Sequence, residues 1–304
     1  QMVQVDLNAL PDRTDLGRLG LGSVLCGGNT DPPDNTPATW RRTVVECQKL
    51  ALQSRLRIPL LFGVDAVHGH NNVLGTVIFP HQIGLGATGN PRRVEEAARV
   101  TANEMLATGI HWTFAPCLAV AQDPRWGRTY ESYSDDPRLV SELGVAAIRG
   151  LQRWQSEVGG QALACAKHYV GDGGTTRGID QGNTECDEST LRKVHLAPYA
   201  EAVRAGVGSV MASYSSWNGV KLHGHRYWLT DVLKGELGFQ GFVVSDWAGI
   251  DQLHPQYKEA IAQAVNAGVD MAMIPNGPGQ PNSYLEFLRF LTELVQEGRV
   301  PQAR

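Results

Sequence analysis

Short apolar runs alternate with longer amphipathic segments along nearly the whole chain. The run at 242–244 contains only β-branched and aromatic residues, which is typical of a strand buried on both faces of a parallel sheet. The pattern predicts eight strands, at residues 2–5, 22–28, 59–66, 111–117, 162–169, 209–215, 242–246 and 271–275. It predicts helices at residues 39–55, 91–108, 137–151, 187–205, 230–237, 257–267 and 284–296. The segment 7–20, between the first two strands, is weak as a helix.

Strands that alternate with helices form parallel βαβ units, and eight such units in roughly 250–300 residues have the size of a closed (β/α)8 barrel. We therefore predict an α/β fold, a TIM barrel, as a single domain spanning residues 1–304. An open, doubly wound sheet is the alternative that the same alternation allows. The sequence contains no internal repeat, low-complexity tract or interdomain linker.

Polar residues collect where the predicted strands end. They are Asp65 at the third strand, Arg128 in the loop after the fourth, Lys167 and His168 at the fifth, Tyr214 at the sixth, and Asp246 with Trp247 at the seventh. The carboxyl ends of barrel strands form the face that carries the chemistry. Charged groups within apolar strands are costly to bury unless they are paired or solvated in a site. The set therefore predicts a polar pocket with aromatic walls, which suits a sugar because charged groups hold hydroxyls and rings pack on sugar faces.

The composition is that of an ordinary globular protein, with a formal net charge of −4 at pH 7. A mildly acidic chain attracts neither nucleic acid nor an anionic membrane surface, so we expect a neutral small-molecule partner, no nucleic acid and no membrane. No apolar run approaches the ~18 residues of a membrane span. The five cysteines are odd in number and widely spaced, which predicts buried thiols and not a disulfide framework.

Specific motifs occur between residues 63 and 247. They are Gly-Val-Asp-Ala-Val-His-Gly-His-Asn-Asn at 63–72, Phe-Pro-His at 79–81, Asp-Pro-Arg-Trp-Gly-Arg at 123–128, Lys-His-Tyr-Val-Gly-Asp-Gly-Gly at 167–174, Ser-Tyr-Ser-Ser-Trp-Asn-Gly at 213–219 and Ser-Asp-Trp at 245–247. With these motifs the chain resembles the N-terminal catalytic barrel of the family 3 glycoside hydrolases, in their β-glucosidase and exo-β-glucanase branch.

The resemblance implies a retaining hydrolase of terminal β-D-glucosyl residues, acting on a β-glucoside or a β-glucan oligosaccharide without a cofactor. Asp246 is then the nucleophile. The subsite for the terminal sugar is lined by Asp65, Arg128, Lys167, His168 and Tyr214, with Trp247 against the sugar. The resemblance favours a periplasmic or secreted location.

Retaining glycosidases need an ionised carboxylate on one side of the anomeric carbon and a protonated acid on the other, about 5 Å apart. We expect Lys167 and Arg128 to keep Asp246 charged, and Tyr214 to donate a hydrogen bond near it. Simpler interpretations remain. Asp246 could cap the next helix, Asp65 could serve only to pair with a cation, and Arg125 could only brace its loop.

Two further patterns point to other chemistry. Residues 84–89 match G-x-G-x-x-G, a dinucleotide fingerprint, but they follow a loop and not a strand, so the signal is weak. The pairs His68-Gly-His70 and His223-Gly-His225 have metal-ligand spacing. They raise the alternative of a metal-dependent amidohydrolase-type barrel, although their strand positions do not match that family's pattern.

The proton donor is the main departure from the family pattern. In this branch the donor is a glutamate of a second domain, and single-barrel relatives use an Asp-His pair in the loop after the Lys-His strand. Here the loop 170–183 has no histidine, so a second domain or chain would supply the acid. Asp180, Glu185 and Asp187 are substitute candidates, but solvated loop carboxylates are the simpler interpretation. A third interpretation is a trimmed or engineered barrel that only binds sugar.

Overall fold

The computed structural model describes residues 1–27, 30–153 and 159–304. The strands are β1 (Val3–Asp6), β2 (Ser23–Leu25), β3 (Leu61–Val64), β4 (Trp112–Thr113), β5 (Cys165–Tyr169), β6 (Asn183–Thr184), β7 (Ser209–Ala212), β8 (Ser216–Trp217), β9 (Val220–Lys221), β10 (Phe242–Val244) and β11 (Ala272–Ile274). Each predicted strand region contains one of these strands. The end of the second region, residue 28, lies outside the described residues.

Eight of these strands close into a parallel barrel, and β6, β8 and β9 form a separate small sheet. Strands β11, β1, β2, β3 and β4 pair in that order, and β5, β7 and β10 form a second parallel group. Two junctions join the groups. At one, the Thr113 amide donates to the Leu163 carbonyl at 3.0 Å, and at the other the Met271 amide donates to the Val243 carbonyl at 3.0 Å. The predicted TIM barrel is therefore confirmed, and the open doubly wound sheet is wrong because these junctions connect both ends of one group to the other.

Helices surround the barrel. They are α1 (Asp15–Arg18), α2 (Pro37–Ala51), α3 (Gln82–Ala87), α4 (Pro91–Ala107), α5 (Pro137–Gln152), α6 (Glu188–Thr190), α7 (Ala197–Arg204), α8 (Tyr257–Ala267) and α9 (Tyr284–Gln296). Wider π-helical segments occupy Leu191–Leu196 and Tyr227–Glu236, so the predicted helix at 187–205 is a continuous series of three segments. The weak first crossover contains only the short 3-10 helix Leu7–Ala9 and α1.

Local sequence sets several of these boundaries. Helix α4 begins with Pro91 at its first position, and the Asn90 side chain caps it by accepting from the Arg92 and Arg93 amides. The loop predicted to run from β3 to residue 89 contains helix α3, and the first two motif glycines lie inside it. A helix interior cannot wrap a pyrophosphate, so the dinucleotide interpretation of residues 84–89 has no structural basis.

Apolar side chains fill the barrel interior beneath the carboxyl ends of the strands. Trp112, Phe114, Met211, Val244 and Met273 form one buried cluster there. A larger cluster packs the helices against the outside of the strands. The polar strand ends therefore lie directly above a buried apolar layer.

The five cysteines are free thiols; four are buried and Cys186 is partly exposed, as predicted. Among the described residues, no helix combines the length and the apolar character that a bilayer crossing requires.

Candidate active site

Asp246 lies just after β10, separated from it by Ser245, and neighbouring groups hold it on several sides. Its amide donates to His223 Nε2 at 2.9 Å, and its carbonyl accepts from the Gly249 amide at 2.9 Å. One carboxylate oxygen, Oδ1, accepts from the Trp247 amide at 2.6 Å. The other oxygen, Oδ2, is buried and receives no hydrogen bond from any described residue. Oδ2 lies 3.6 Å from His168 Nε2 and is thus the carboxylate oxygen of Asp246 without a hydrogen-bond partner among the described residues.

A cavity of about 540 Å³ opens above the apolar layer, at the carboxyl ends of the strands. This volume falls within the ~300–1,000 Å³ of small-molecule sites. The predicted site residues in its wall are Asp65, Arg128, Lys167, His168, Asp246 and Trp247. Tyr214, the remaining predicted residue, lies in a narrow recess that shares Arg128 and His168 with the cavity.

Lys167 and Asp65 join two sides of the cavity. Lys167 Nζ lies 3.0 Å from Asp65 Oδ1, and the lysine side chain is 5% exposed whereas the carboxylate is 58% exposed. Burial acts to lower the pKa of Lys167, but the Asp65 and Glu131 charges raise it overall, so the lysine stays cationic. The ion pair matches the simpler interpretation of Asp65, yet both side chains also face the cavity.

A second polar chain crosses the floor of the site. Arg128 Nε and Nη2 donate to the two carboxylate oxygens of Glu131 at 2.7 and 3.0 Å. Arg128 Nη2 also lies 3.1 Å from His168 Nε2, and His168 Nδ1 lies 2.8 Å from Asp172 Oδ2. Because arginine can only donate, His168 Nε2 accepts and Nδ1 carries the proton. His168 is thus held as a neutral ring, and burial followed by the Arg128 and Lys167 charges places its pKa well below the ordinary value.

Burial also controls the acids of the site. It raises the pKa of Asp246 to about 6, although the Trp247 amide and the Arg128 and Lys167 charges act in the opposite direction. The two cations, which we expected to keep Asp246 charged, thus limit a rise in its pKa that desolvation causes. Burial likewise raises the pKa of Asp172 to about 7.

Glu131, Asp172 and Asp6 are site residues that the sequence reasoning missed. Glu131 pairs with Arg128, Asp172 pairs with His168, and Asp6 lines the cavity at the end of β1. Asp172 lies within the motif 167–174, and Asp6 directly follows a predicted strand region. Both positions could therefore have been predicted as site residues from the sequence. The helical i, i+3 spacing from Arg128 to Glu131 became meaningful only with the 3-10 turn Thr129–Glu131.

The remaining candidate carboxylates are occupied by local contacts. Asp187 caps α6 by accepting from the Thr190 amide at 2.7 Å, and this bond lowers its pKa. Glu185 accepts from Thr176 and Asn183, and Asp180 accepts from Trp126 Nε1 at 3.2 Å. Of the three, Asp180 lines the recess beside the cavity.

Arg125 contacts Asp123 through two guanidinium nitrogens, which fits the simpler interpretation that it braces the loop.

The histidines with metal-ligand spacing serve other purposes. His68 contacts the Phe79 carbonyl, His70 contacts Thr108 Oγ1, and His223 accepts from the Asp246 amide. In the described part of the chain, one group has metal-like geometry: Cys117, His168 and Asp172, with ligand atoms within 4.8 Å of one another. There the imidazole and the carboxylate already hydrogen-bond each other, and the Arg128 guanidinium disfavours a nearby cation. These residues fit a polar network better than a metal centre.

The chain is similar to several known proteins. A lysosomal beta glucosidase of Dictyostelium discoideum is 38% identical over 280 residues, which cover 88% of this chain and 33% of that protein. A beta-xylosidase of Formosa agariphila is 39% identical over 241 residues, which cover 75% of this chain and 33% of that protein. A crystal structure of an exo-1,3/1,4-beta-glucanase from a Pseudoalteromonas species superposes with a TM-score of 0.90 at 43% identity, covering 100% of this chain and 38% of that one.

The chain thus spans about a third of the length of these two curated relatives. The family model for the glycosyl hydrolase family 3 N terminal domain matches residues 1–304. This match overturns the alternative of a metal-dependent amidohydrolase-type barrel. The closed barrel, the motifs that line its cavity and the match along its whole length together show that the chain belongs to glycosyl hydrolase family 3, as an N-terminal domain of that family.

Proposed function

We propose that this barrel carries the nucleophile and the terminal-sugar subsite of a retaining glycoside hydrolase acting on β-D-glucosyl residues. The observation that carries the proposal is Asp246, a buried residue of the cavity wall whose Oδ2 receives no hydrogen bond from any described residue. A carboxylate with one oxygen held and the other free is prepared to attack a carbon placed above it.

In the proposed reaction, Asp246 Oδ2 forms a bond to the anomeric carbon while the bond from that carbon to the leaving oxygen breaks, and the leaving group takes the electron pair. Water then cleaves the glycosyl-enzyme, and two inversions return the original configuration. The pKa of about 6 leaves Asp246 ionised near neutral pH, with a basicity higher than that of an ordinary aspartate. The attack thus needs no prior proton transfer from Asp246.

The cavity wall offers complementary groups for sugar hydroxyls. Lys167 and Arg128 can only donate hydrogen bonds, whereas Asp65 can only accept them when ionised. Trp247, 39% exposed on the wall, presents a ring to the sugar.

Because relatives are named for both glucosidase and xylosidase activity, kcat/KM for dinitrophenyl β-glucoside and β-xyloside should be compared. We expect the glucoside to be preferred. A preference for the xyloside would refute the assignment of β-D-glucosyl substrates but not that of Asp246 as the nucleophile.

The proton donor is proposed to come from a second domain or chain. The carboxyl groups that line the cavity among the described residues are Asp6, Asp65 and Asp246. Asp65 is paired with Lys167, and Asp6 Oδ1 accepts from the Asn8 amide at 2.7 Å. Asp180 in the adjoining recess is the candidate within this chain. If the donor comes from a second domain or chain, the 304-residue chain alone should hydrolyse fewer substrates than if Asp180 is the donor.

The test uses a leaving group that needs no protonation. Dinitrophenolate leaves as a stable anion, whereas the glucose displaced from cellobiose leaves as an alkoxide. Without an acid, the chain should cleave dinitrophenyl β-glucoside far faster than cellobiose, and it should accumulate a glycosyl-enzyme. Azide attacks without deprotonation, so it should raise turnover and yield β-glucosyl azide.

The outcomes separate the interpretations. Mass spectrometry of a peptide containing Asp246, after reaction with a dinitrophenyl deoxyfluoro-β-glucoside, should show one added sugar. Asp246→Ala should abolish the label, and a label elsewhere would refute the nucleophile assignment. Efficient cellobiose hydrolysis that azide does not change would refute the external donor, and loss of that activity in Asp180→Asn would identify the donor in this chain. If the chain binds sugar but no residue is labelled, the interpretation that the barrel only binds sugar is supported, and the proposed hydrolase function is refuted.

A further inference from the structure

His223 connects the ends of two barrel strands at the site. It lies in the 3-10 helix Leu222–Gly224, after the β8–β9 hairpin, and it is 1% exposed. Its Nε2 accepts from the Asp246 amide at 2.9 Å. The backbone of Ser213, just after β7, forms a hydrogen bond to the same ring. The His223 imidazole thus links the backbone of Ser213, the residue before Tyr214, to the backbone of Asp246.

The proton on this ring has a defined place. An imidazole nitrogen that accepts from an amide carries no proton, so the single proton of the neutral ring is on Nδ1. Burial, followed by the charge of Lys221, lowers the pKa of His223 to about 3, so the ring stays neutral in ordinary buffers. The accepting lone pair at Nε2 is therefore present throughout the usual pH range.

The surroundings of the ring are packed on both sides. The Tyr214 ring lies 5.8 Å from the His223 ring, centroid to centroid. On another side, a Cβ added to Gly249 would clash with His223 Nε2. The loop that leaves Asp246 therefore passes directly over the imidazole, and glycine is the residue that permits this approach. The His223 ring therefore lies between the Tyr214 ring and the backbone that follows Asp246.

We propose that His223 is a positioning residue that holds the Asp246 backbone so that the carboxylate keeps its place at the cavity wall, and that it sets the place of Tyr214. This inference rests on the proposed role of Asp246 as nucleophile. His223 itself is absent from the residues that line the cavity. Its loss should therefore slow formation of the glycosyl-enzyme and leave sugar binding nearly intact, because a misplacement of about 1 Å costs about 100-fold in rate.

The experiment measures two quantities on the 304-residue chain: the rate constant for labelling Asp246 by a dinitrophenyl deoxyfluoro-β-glucoside, and the dissociation constant of gluconolactone by calorimetry. His223→Leu removes the acceptor and should lower the labelling rate about 100-fold, with little change in gluconolactone affinity. His223→Gln supplies an amide oxygen near the position of Nε2 and should recover about tenfold of that loss. Gly249→Ala keeps the histidine but displaces its ring, so it should also slow labelling.

A matched control separates positioning from general damage. His70 is another fully buried histidine, hydrogen-bonded to Thr108 and absent from the cavity wall, so His70→Leu should lower the melting temperature but not the labelling rate. Parental labelling rates in His223→Leu and Gly249→Ala would overturn the inference while leaving Asp246 as nucleophile. Equal losses of rate and affinity in His223→Leu, without recovery by His223→Gln, would also overturn it. If the parent chain is not labelled at Asp246, the proposed function fails, and the inference fails with it.

Discussion

Replacing Asp246 by asparagine should abolish glycosyl transfer and, at neutral pH, stabilise the fold. The reason is the desolvation of the carboxylate, which is 9% exposed. Burial raises its pKa from 3.8 to about 6 in the folded chain. Between these two values the folded state holds a proton that the unfolded state has released, so this carboxyl makes the protein less stable as pH rises through the window. Asparagine cannot ionise and removes the effect.

The magnitude follows from the size of the shift. A rise of about two pKa units corresponds to about 3 kcal/mol, at about 1.4 kcal/mol per unit. The new amide group has its own cost, about 1 kcal/mol, because the acceptor nearest to the Oδ2 position in the ion-pair geometry, His168 Nε2, lies 3.6 Å away, beyond hydrogen-bond distance. That cost does not depend on pH. The free energy of unfolding of Asp246→Asn minus that of the parent should therefore increase by about 3 kcal/mol from below pH 4 to above pH 6.

Urea denaturation at a series of pH values measures this difference, provided that the m-value is the same in both proteins. Asp123→Asn is a control of opposite sign. The Arg125 side chain lowers the pKa of Asp123 to about 2, so its contribution to stability is present above pH 4 and is lost as pH falls toward 2. A difference between Asp246→Asn and the parent that does not change with pH would refute the reasoning, whatever the activity of the variant.

Three further outcomes are expected. Asp65→Ala should weaken gluconolactone binding by roughly 2–4 kcal/mol in calorimetry, because a sugar hydroxyl and the buried lysine partner both lose an acceptor; unchanged affinity would make Asp65 structural. Trp247→Ala should weaken the same binding by about 1 kcal/mol through lost ring contact, and equal affinities would place the sugar elsewhere. The rate of glycosyl-enzyme formation should fall below about pH 6 as Asp246 gains its proton, and an acid limb near pH 4 would contradict the raised pKa.

The barrel and much of the site could be predicted because strand periodicity is a local property. The run 242–244 is apolar on both faces. Asp246, the first charged residue after it, marks the end of the strand. The same rule places Asp65 after β3 and Lys167 within β5, at the same end of the barrel. In a closed parallel barrel these ends converge, so the sequence indicates which side chains meet, although not which of them pair.

Pairing in the loops could not be predicted in the same way. The contact of His168 with Asp172 depends on the turn at Asp172–Gly174, and that of Arg128 with Glu131 depends on another 3-10 turn. Such short turns carry weak local signals and are fixed by tertiary contacts. Tyr214 shows the same limit: it follows β7 as expected, yet its side chain lies in the recess next to the cavity.

The loss of stability caused by the ionised Asp246 carboxylate and its proposed reactivity as a nucleophile have the same physical cause. The apolar layer of Trp112, Phe114 and Met211 lies beneath the cavity and lowers the polarity around the strand ends. Low local polarity raises the pKa of Asp246, which costs stability and also leaves a more basic carboxylate with less solvent to displace. A polar substitution in that layer, such as Met211→Gln, should therefore lower the pKa of Asp246 while it slows glycosyl-enzyme formation. If the pKa falls and the rate does not, the desolvation of Asp246 is a structural consequence of the barrel and does not assist the attack.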